Sequence, residues 1–201
     1  DRSPSRGLGD VYKRQGEQYM SDEDLITLAT ELEGHPDNVA AAFYGGATIA
    51  WLEASVDSTG EVKNIGKAVS LKVDDRIKAL LLVPGNQLST AKARKLLPET
   101  ISHQDAVLNS SRSALLVHAL AERPDLLFTA TSDLLHQKYR EPAMPKTIAL
   151  VEKLRGAGLA AVVSGAGPSV MVLYAGSEDE IDQINGLSLI HISEPTRRTP
   201  I

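Results

Sequence analysis

The stretch LAAVVSGAGPSVMVLYAG, residues 159–176, constrains the fold more than any other segment. Two short β-branched runs flank a turn built from serine, glycine and proline, and a chain written this way doubles back as a hairpin. Helical segments stand on both sides of it. MPKTIALVEKLRGAG runs into it and is stopped by glycine, and SEDEIDQING starts another helix after it. Upstream, KALLLVPG (Lys78 to Gly85) is a short β-like run, and STAKARKLLP is a short helix with Ser89 or Thr90 as cap. SHQDAVLNSSRSALLVHALA is a long amphipathic helix, and RPDLLFTATSDLLHQKYR is helical after Pro124. In the first third, SDEDLITLATELEG is a helix capped by Ser21 or Asp22, with Leu25, Leu28, Ala29 and Leu32 at helical spacing. A second helix begins near Pro36 and stops at Gly45 and Gly46. ATIAWLEA and KAVSLKV read as strands joined by the turn-rich SVDSTGEVKNIG. Strands mixed with helices, with a close hairpin late in the chain, predict an α+β fold rather than a doubly wound parallel sheet.

The two ends do not share the composition of the middle. One DNA string encodes SRGLGDVYKRQ, residues 5–15, and its reverse complement encodes LSLIHISEPTR, residues 187–197. The string resembles a transposase mosaic-end sequencing adapter, so residues 1–15 and 187–201 are expected to be non-native and to stay off the core. The remaining 16–186 carry 15 basic and 23 acidic side chains, a net charge of -8. An acidic middle with few aromatics lacks the basic footprint of a nucleic-acid binder. There is no cysteine, which excludes disulfides and thiolate metal sites and fits a reducing cytoplasm. No apolar run approaches the roughly 18 residues of a membrane span.

Four constellations carry chemistry. In ELEGHPDN, Glu33 and His35 occupy the loop before a helix whose first turn holds Asp37 and Asn38, and a helix mouth attracts anions and polar ligands. Plain capping explains the same residues. Arg94 projects from STAKARKLLP, and Arg140 ends a helix in HQKYREPAMP. Each arginine alone suits a solvated or helix-terminal position, whereas two from separate elements make a bidentate trap for one carboxylate. SGAGPS lets backbone approach a ligand closely at Gly165 and Gly167, and it equally makes an ordinary hairpin turn. It is neither the phosphate loop of the P-loop enzymes nor a dinucleotide fingerprint.

Taken in order and spacing, ELEGHPDNVAAAFYGG, STAKARKLLP, SHQDAVLNSSR, YREP and SGAGPSV resemble the GHMP kinase superfamily, and within it the bacterial homoserine kinases. The resemblance covers essentially all of 16–186. It implies a fold in which 16–77 end an N-terminal domain like ribosomal protein S5, and 78–186 form most of a ferredoxin-like α+β domain. It implies phosphoryl transfer from ATP, with Mg²⁺, to the hydroxyl of L-homoserine. Arg94 and Arg140 match the residues that hold the substrate carboxylate. His35 and Asn38 match those at the hydroxyl end, where the two domains meet. Glu33 matches the Mg²⁺ ligand, with Glu31 as the alternative because the loop to His35 is short, and Gly165 matches the backbone supporting the substrate and phosphate region. No strong general base is among them, which suits direct transfer. A homodimer is compatible with the family; membrane and nucleic acid are not expected partners. The family's glycine-rich phosphate loop, P-x-x-x-G-L-G-S-S-A, has no counterpart in 16–186, so residues 1–201 alone are expected to show no turnover. Another small-alcohol GHMP kinase and a non-catalytic ferredoxin-like binding module are the competing readings.

Overall fold

The computed structural model describes residues 20–56, 60–85, 93–176, 178–188 and 197–199. It divides into two compact units, one ending at Lys72 and the other beginning at Val73.

The first unit packs two helices on a two-stranded sheet. Helix α1 (Asp22–Glu33) opens with a reciprocal cap: Ser21 Oγ accepts the Asp24 N–H at 3.1 Å, and Asp24 Oδ2 accepts the Ser21 N–H at 3.2 Å. It closes at Gly34, whose left-handed φ of 84° suits glycine and lets its N–H reach the Thr30 carbonyl at 2.7 Å. Helix α2 (Pro36–Tyr44) follows at once, with proline in its first turn. Strands β1 (Ala47–Val56) and β2 (Val62–Leu71) pair antiparallel from Ala47↔Leu71 to Val56↔Val62. The ladder therefore takes in Val62 to Gly66, which the turn-rich composition placed in the connection. Cross-strand pairing outweighs the poor strand propensity of Asn64 and Gly66. The apolar stripe of α1 faces inward only in part, with Leu25 and Ala29 half-buried. Ile26 and Thr30 are buried, while Leu28 and Leu32 are exposed. A Cβ on Gly66 would run into the Thr30 side chain, so the absent side chain lets α1 lie close to β2.

The second unit is a sheet with helices on both faces. Its strands are β3 (Lys78–Leu82), β4 (Ala160–Val163), β5 (Val170–Tyr174) and β6 (Arg197–Thr199), in the order β4-β5-β3-β6, all antiparallel. The helices are α3 (His103–Ala121), α4 (Leu127–Ala130), α5 (Gln137–Arg140), α6 (Pro145–Gly156) and α7 (Glu178–Ser188). Strand alternation sorts the core into two layers. Leu80, Leu82, Val170, Val172 and Tyr174 pack with Leu150, Val151 and Leu154 of α6 and Ile184 of α7. Ile77, Ala160 and Leu173 pack on the other side with Ala119 of α3 and Leu127 and Ala130 of α4. Val73 and Ile77, expected at the end of the first domain, thus belong to the core of the second unit. The succession β3-α6-β4-β5-α7-β6 is the ferredoxin-like one, with α3 to α5 inserted after β3.

Two expectations are corrected here. The segment after Pro124 is not one helical stretch: a 3₁₀ turn at Pro124–Leu126, α4 and α5 are separate. Asp133 captures backbone N–H groups that a continuous helix would need. The 187–201 tail does not stay off the core. Leu187 and Ser188 continue α7, and Arg197–Thr199 pair with β3 from Leu81↔Arg197 to Ala79↔Thr199. An open strand edge accepts extended backbone whatever side chains it carries. The caps Ser89 and Thr90 lie outside the described residues, as do residues 1–15; Ala93 and Arg94 form the helical turn that is described.

Candidate functional site

In the first unit, His35 is the residue before α2 and turns its ring back on the helix mouth. Its Nδ1 accepts the Asp37 N–H at 3.4 Å and lies 3.3 Å from Asp37 Oδ1. Asp37 in turn accepts the Asn38 N–H at 2.7 Å. Two of the free N–H groups of the helix start are therefore used locally, which is the capping role. The side chains of Asn38, Glu33 and Glu31 are exposed. Among the described residues no group of three or more His, Cys, Asp or Glu side chains is gathered. A magnesium ion held by one carboxylate and by substrate phosphates needs no such group, so exposed Glu33 fits that manner of binding.

In the second unit the glycine turn and Arg140 are built together. Between β4 and β5, Ser164 N–H donates to the Ser169 carbonyl at 2.8 Å and Gly167 N–H to the Ser164 carbonyl at 3.0 Å. Gly165 and Gly167 both have positive φ, 58° and 84°. At Gly167 space is short as well, since a Cβ would come within 2.7 Å of the Met144 sulfur. Thr147 Oγ1 donates to the Pro168 carbonyl at 3.0 Å, fixing the far side of the turn.

Arg140 reaches this turn from α5. Its Nη1 donates to the Gly165 carbonyl at 2.8 Å, yet its Nε is buried without a partner. Among the described residues no carboxylate forms an ion pair with it. Burial pushes the guanidinium below its ordinary pKa; Asp133 opposes that push, and the charge of Arg94 adds to it. Arg94, itself exposed, is thus near enough for its charge to be felt at Arg140. Of the three residues the motifs single out here, Arg140 and Gly165 are in direct contact, and Arg94 acts on Arg140 through its charge. A half-buried arginine marks the contrast: Arg155 spends its fork on the Phe128 and Ala161 carbonyls and Thr131 Oγ1, and stacks on Phe128 at 4.5 Å.

Motif reading passed over two residues around Arg140. Asp133 accepts the N–H groups of Leu135, His136 and Gln137, and Gln137 Oε1 accepts the Val163 N–H at 2.8 Å. The available signal was an aspartate just ahead of a short helix, a capping pattern too common to single out.

Residues 111–187 match the family model described as GHMP kinases C terminal. The chain is 48% identical over 172 residues to the homoserine kinase of Streptomyces coelicolor, covering 85% of this chain and 53% of that protein. It is 54% identical over 149 residues to the homoserine kinase of Clavibacter michiganensis, covering 74% and 44%. The chain spans about half the length of the curated relatives it matches. Among solved structures, homoserine kinase from Cytophaga hutchinsonii superposes with a TM-score of 0.73 at 24% identity, over 98% of this chain and 63% of that one. Mevalonate kinase of L. major, solved with R-mevalonate, superposes with a TM-score of 0.56 at 21% identity, over 96% and 61%. No helix among the described residues is long and apolar enough to cross a membrane. Motifs, fold and relatives agree: the chain is a partial-length member of the GHMP kinases, similar to their homoserine kinase branch.

Proposed function

We propose that this chain is part of a cytoplasmic, ATP-dependent kinase that phosphorylates the hydroxyl of L-homoserine to O-phosphohomoserine, a step toward threonine. The observation that carries the reading is Arg140. A buried guanidinium whose Nε has no partner and which has no ion-paired carboxylate among the described residues, with the charge of a second arginine felt there, supports reading the site as one that takes an anion. A planar fork suits a carboxylate, and two forks orient it.

In this reading Arg94 and Arg140 hold the carboxylate of the amino acid. His35 and Asn38 serve its hydroxyl end, and the Gly165 carbonyl keeps Arg140 aligned while the turn's backbone supports the substrate and phosphate region. Glu33 is the carboxylate for Mg²⁺, with Glu31 as its substitute; the ion would neutralise phosphate charge. Transfer then depends on placement and charge neutralisation more than on a strong base. The chain alone, without a phosphate loop, should consume no ATP on addition of L-homoserine. A homodimer remains compatible with this reading.

The test uses the intact enzyme carrying this sequence. It should phosphorylate L-homoserine and discriminate strongly against its carboxyl-reduced analogue. Arg140→Lys keeps the charge but not the fork, and loss of a charge-assisted bond costs about 1.5–3 kcal/mol. The variant should lose most of that discrimination, as should Arg94→Lys. Equal discrimination in wild type and variants sinks the clamp, and turnover of mevalonate in place of L-homoserine sinks the substrate.

A further inference from the structure

Two struts run from a single helical turn to the glycine turn. Gln137 Oε1 accepts the Val163 N–H at 2.8 Å, and three residues later Arg140 Nη1 donates to the Gly165 carbonyl at 2.8 Å. Side chains three apart share a helix face, and Val163 and Gly165 stand on either side of Ser164 where β4 ends. β4 is the outer strand of its sheet, so its outward backbone groups have no ladder partner. Gln137 supplies one at Val163.

The position of α5 is fixed in turn by Asp133. Its carboxylate accepts the N–H groups of Leu135 at 3.1 Å, His136 at 3.0 Å and Gln137 at 2.6 Å, and Oδ1 lies 3.0 Å from His136 Nδ1. One residue on, the Leu134 N–H donates to Asn109 Oδ1 of α3 at 3.1 Å, which ties this loop to the long helix. The helix that carries Arg140 is therefore pinned at its start by Asp133 and to the sheet edge by Gln137. Arg140 gives one of its five N–H groups to the turn, and its buried Nε has no partner among the described residues.

We propose that Gln137, on a helix start set by Asp133, is a positioning residue that locks Arg140 and the 164–168 turn into one body, so that the free Nε is presented to the carboxylate of the substrate before it arrives. This rests on the reading of Arg140 as carboxylate holder. A long arginine left to wander loses rotamer freedom on binding, and fixing it beforehand removes that cost. Gln137 is the residue to test because it is only half-buried and touches the turn through one acceptor atom.

Gln137→Leu removes the acceptor at similar volume; Gln137→Glu keeps an oxygen there. In the intact enzyme, Gln137→Leu should raise the KM for L-homoserine about three- to ten-fold. Its kcat and its KM for ATP should stay within about twofold of wild type, and Gln137→Glu should restore the KM. An unchanged KM for L-homoserine, or a fall in kcat alone, overturns the proposal. Hydrogen exchange at the Val163 amide and at Arg140 Nε–H, read by NMR on the 201-residue chain, needs no turnover. Both should speed up at least tenfold in Gln137→Leu and recover in Gln137→Glu, and unchanged exchange also overturns it. Faster exchange in an intact enzyme that does not act on L-homoserine supports the strut and defeats the substrate reading instead.

Discussion

Gly165 and Gly167 lie in one turn, and a methyl group added to each tests different physics. At Gly165 the φ of 58° is the only obstacle, since no atom lies within 4 Å of an added Cβ. At Gly167 the φ of 84° is joined by contacts to Met144 and Val163. Gly165→Ala should cost about 1 kcal/mol and Gly167→Ala about 2–4 kcal/mol, strain and overpacking together. Urea unfolding of the two variants should keep that order. Asp133 adds a pH signature. Burial by itself would push its carboxyl up, but hydrogen bonds from His136, Gln137 and Leu135 outweigh it and hold the pKa below the ordinary value. A lowered folded pKa means stability that is complete above the unfolded value of roughly 3.9 and lost as pH falls through the folded one. The stability gap between wild type and Asp133→Asn should thus be flat near neutrality and shrink in acid. A gap independent of pH between 6 and about 2 contradicts the assignment. The polar residues of HPDN and the arginines were visible in the sequence because charge and proline at a helix mouth form an uncommon pattern. Gln137 was not, because its importance lies in one bond to a strand 26 residues away.

At the scale of elements, caps and punctuation were legible and faces were not. Ser21, Gly34, Pro36 and Gly45 mark the helix ends of the first unit where composition put them. The leucine spacing of α1 did not reveal that Ile26 and Thr30 are its buried positions, because the close approach is set by Gly66 on another element. That approach can be probed. Gly66→Ala forces a Cβ against Thr30, a buried side chain whose Oγ1 already donates to the Ile26 carbonyl at 2.6 Å. Overpacking of this kind costs about 1–3 kcal/mol. Thr30→Ala clears Oγ1 and Cγ2 and should recover part of the loss, giving a coupling of about 0.5–3 kcal/mol in a double-mutant cycle. Additive losses would mean that α1 simply shifts. The helical break between α4 and α5 was illegible for a related reason: helical propensity runs through 125–140, and only the bonds to Asp133 reveal the interruption.

Across the whole molecule, the first unit leaves Ile49, Trp51 and Leu52 at 39%, 40% and 41% exposure. Ile49 pairs with Val69, itself exposed, so apolar surface is continuous across both strands. Such patches promote association. The purified chain should bind an apolar dye and scatter more light with concentration, and Ile49→Thr with Val69→Thr should reduce both; wild-type scattering independent of concentration contradicts this. Trp51 is the sole tryptophan, so acrylamide quenching reads the same face directly. The strand registers described above also have a consequence in time. In the first unit Val56 pairs with Val62, close by in the sequence, whereas Lys78 of β3 meets Tyr174 of β5 about a hundred residues later. Closing that long loop is entropically harder and slows the search. Refolding should therefore be biphasic, with an early phase seen in Trp51 fluorescence and a later one carried by the β3–β5 pairing, so that a ribosome releasing this chain finishes the first unit before β3 of the second has met β5.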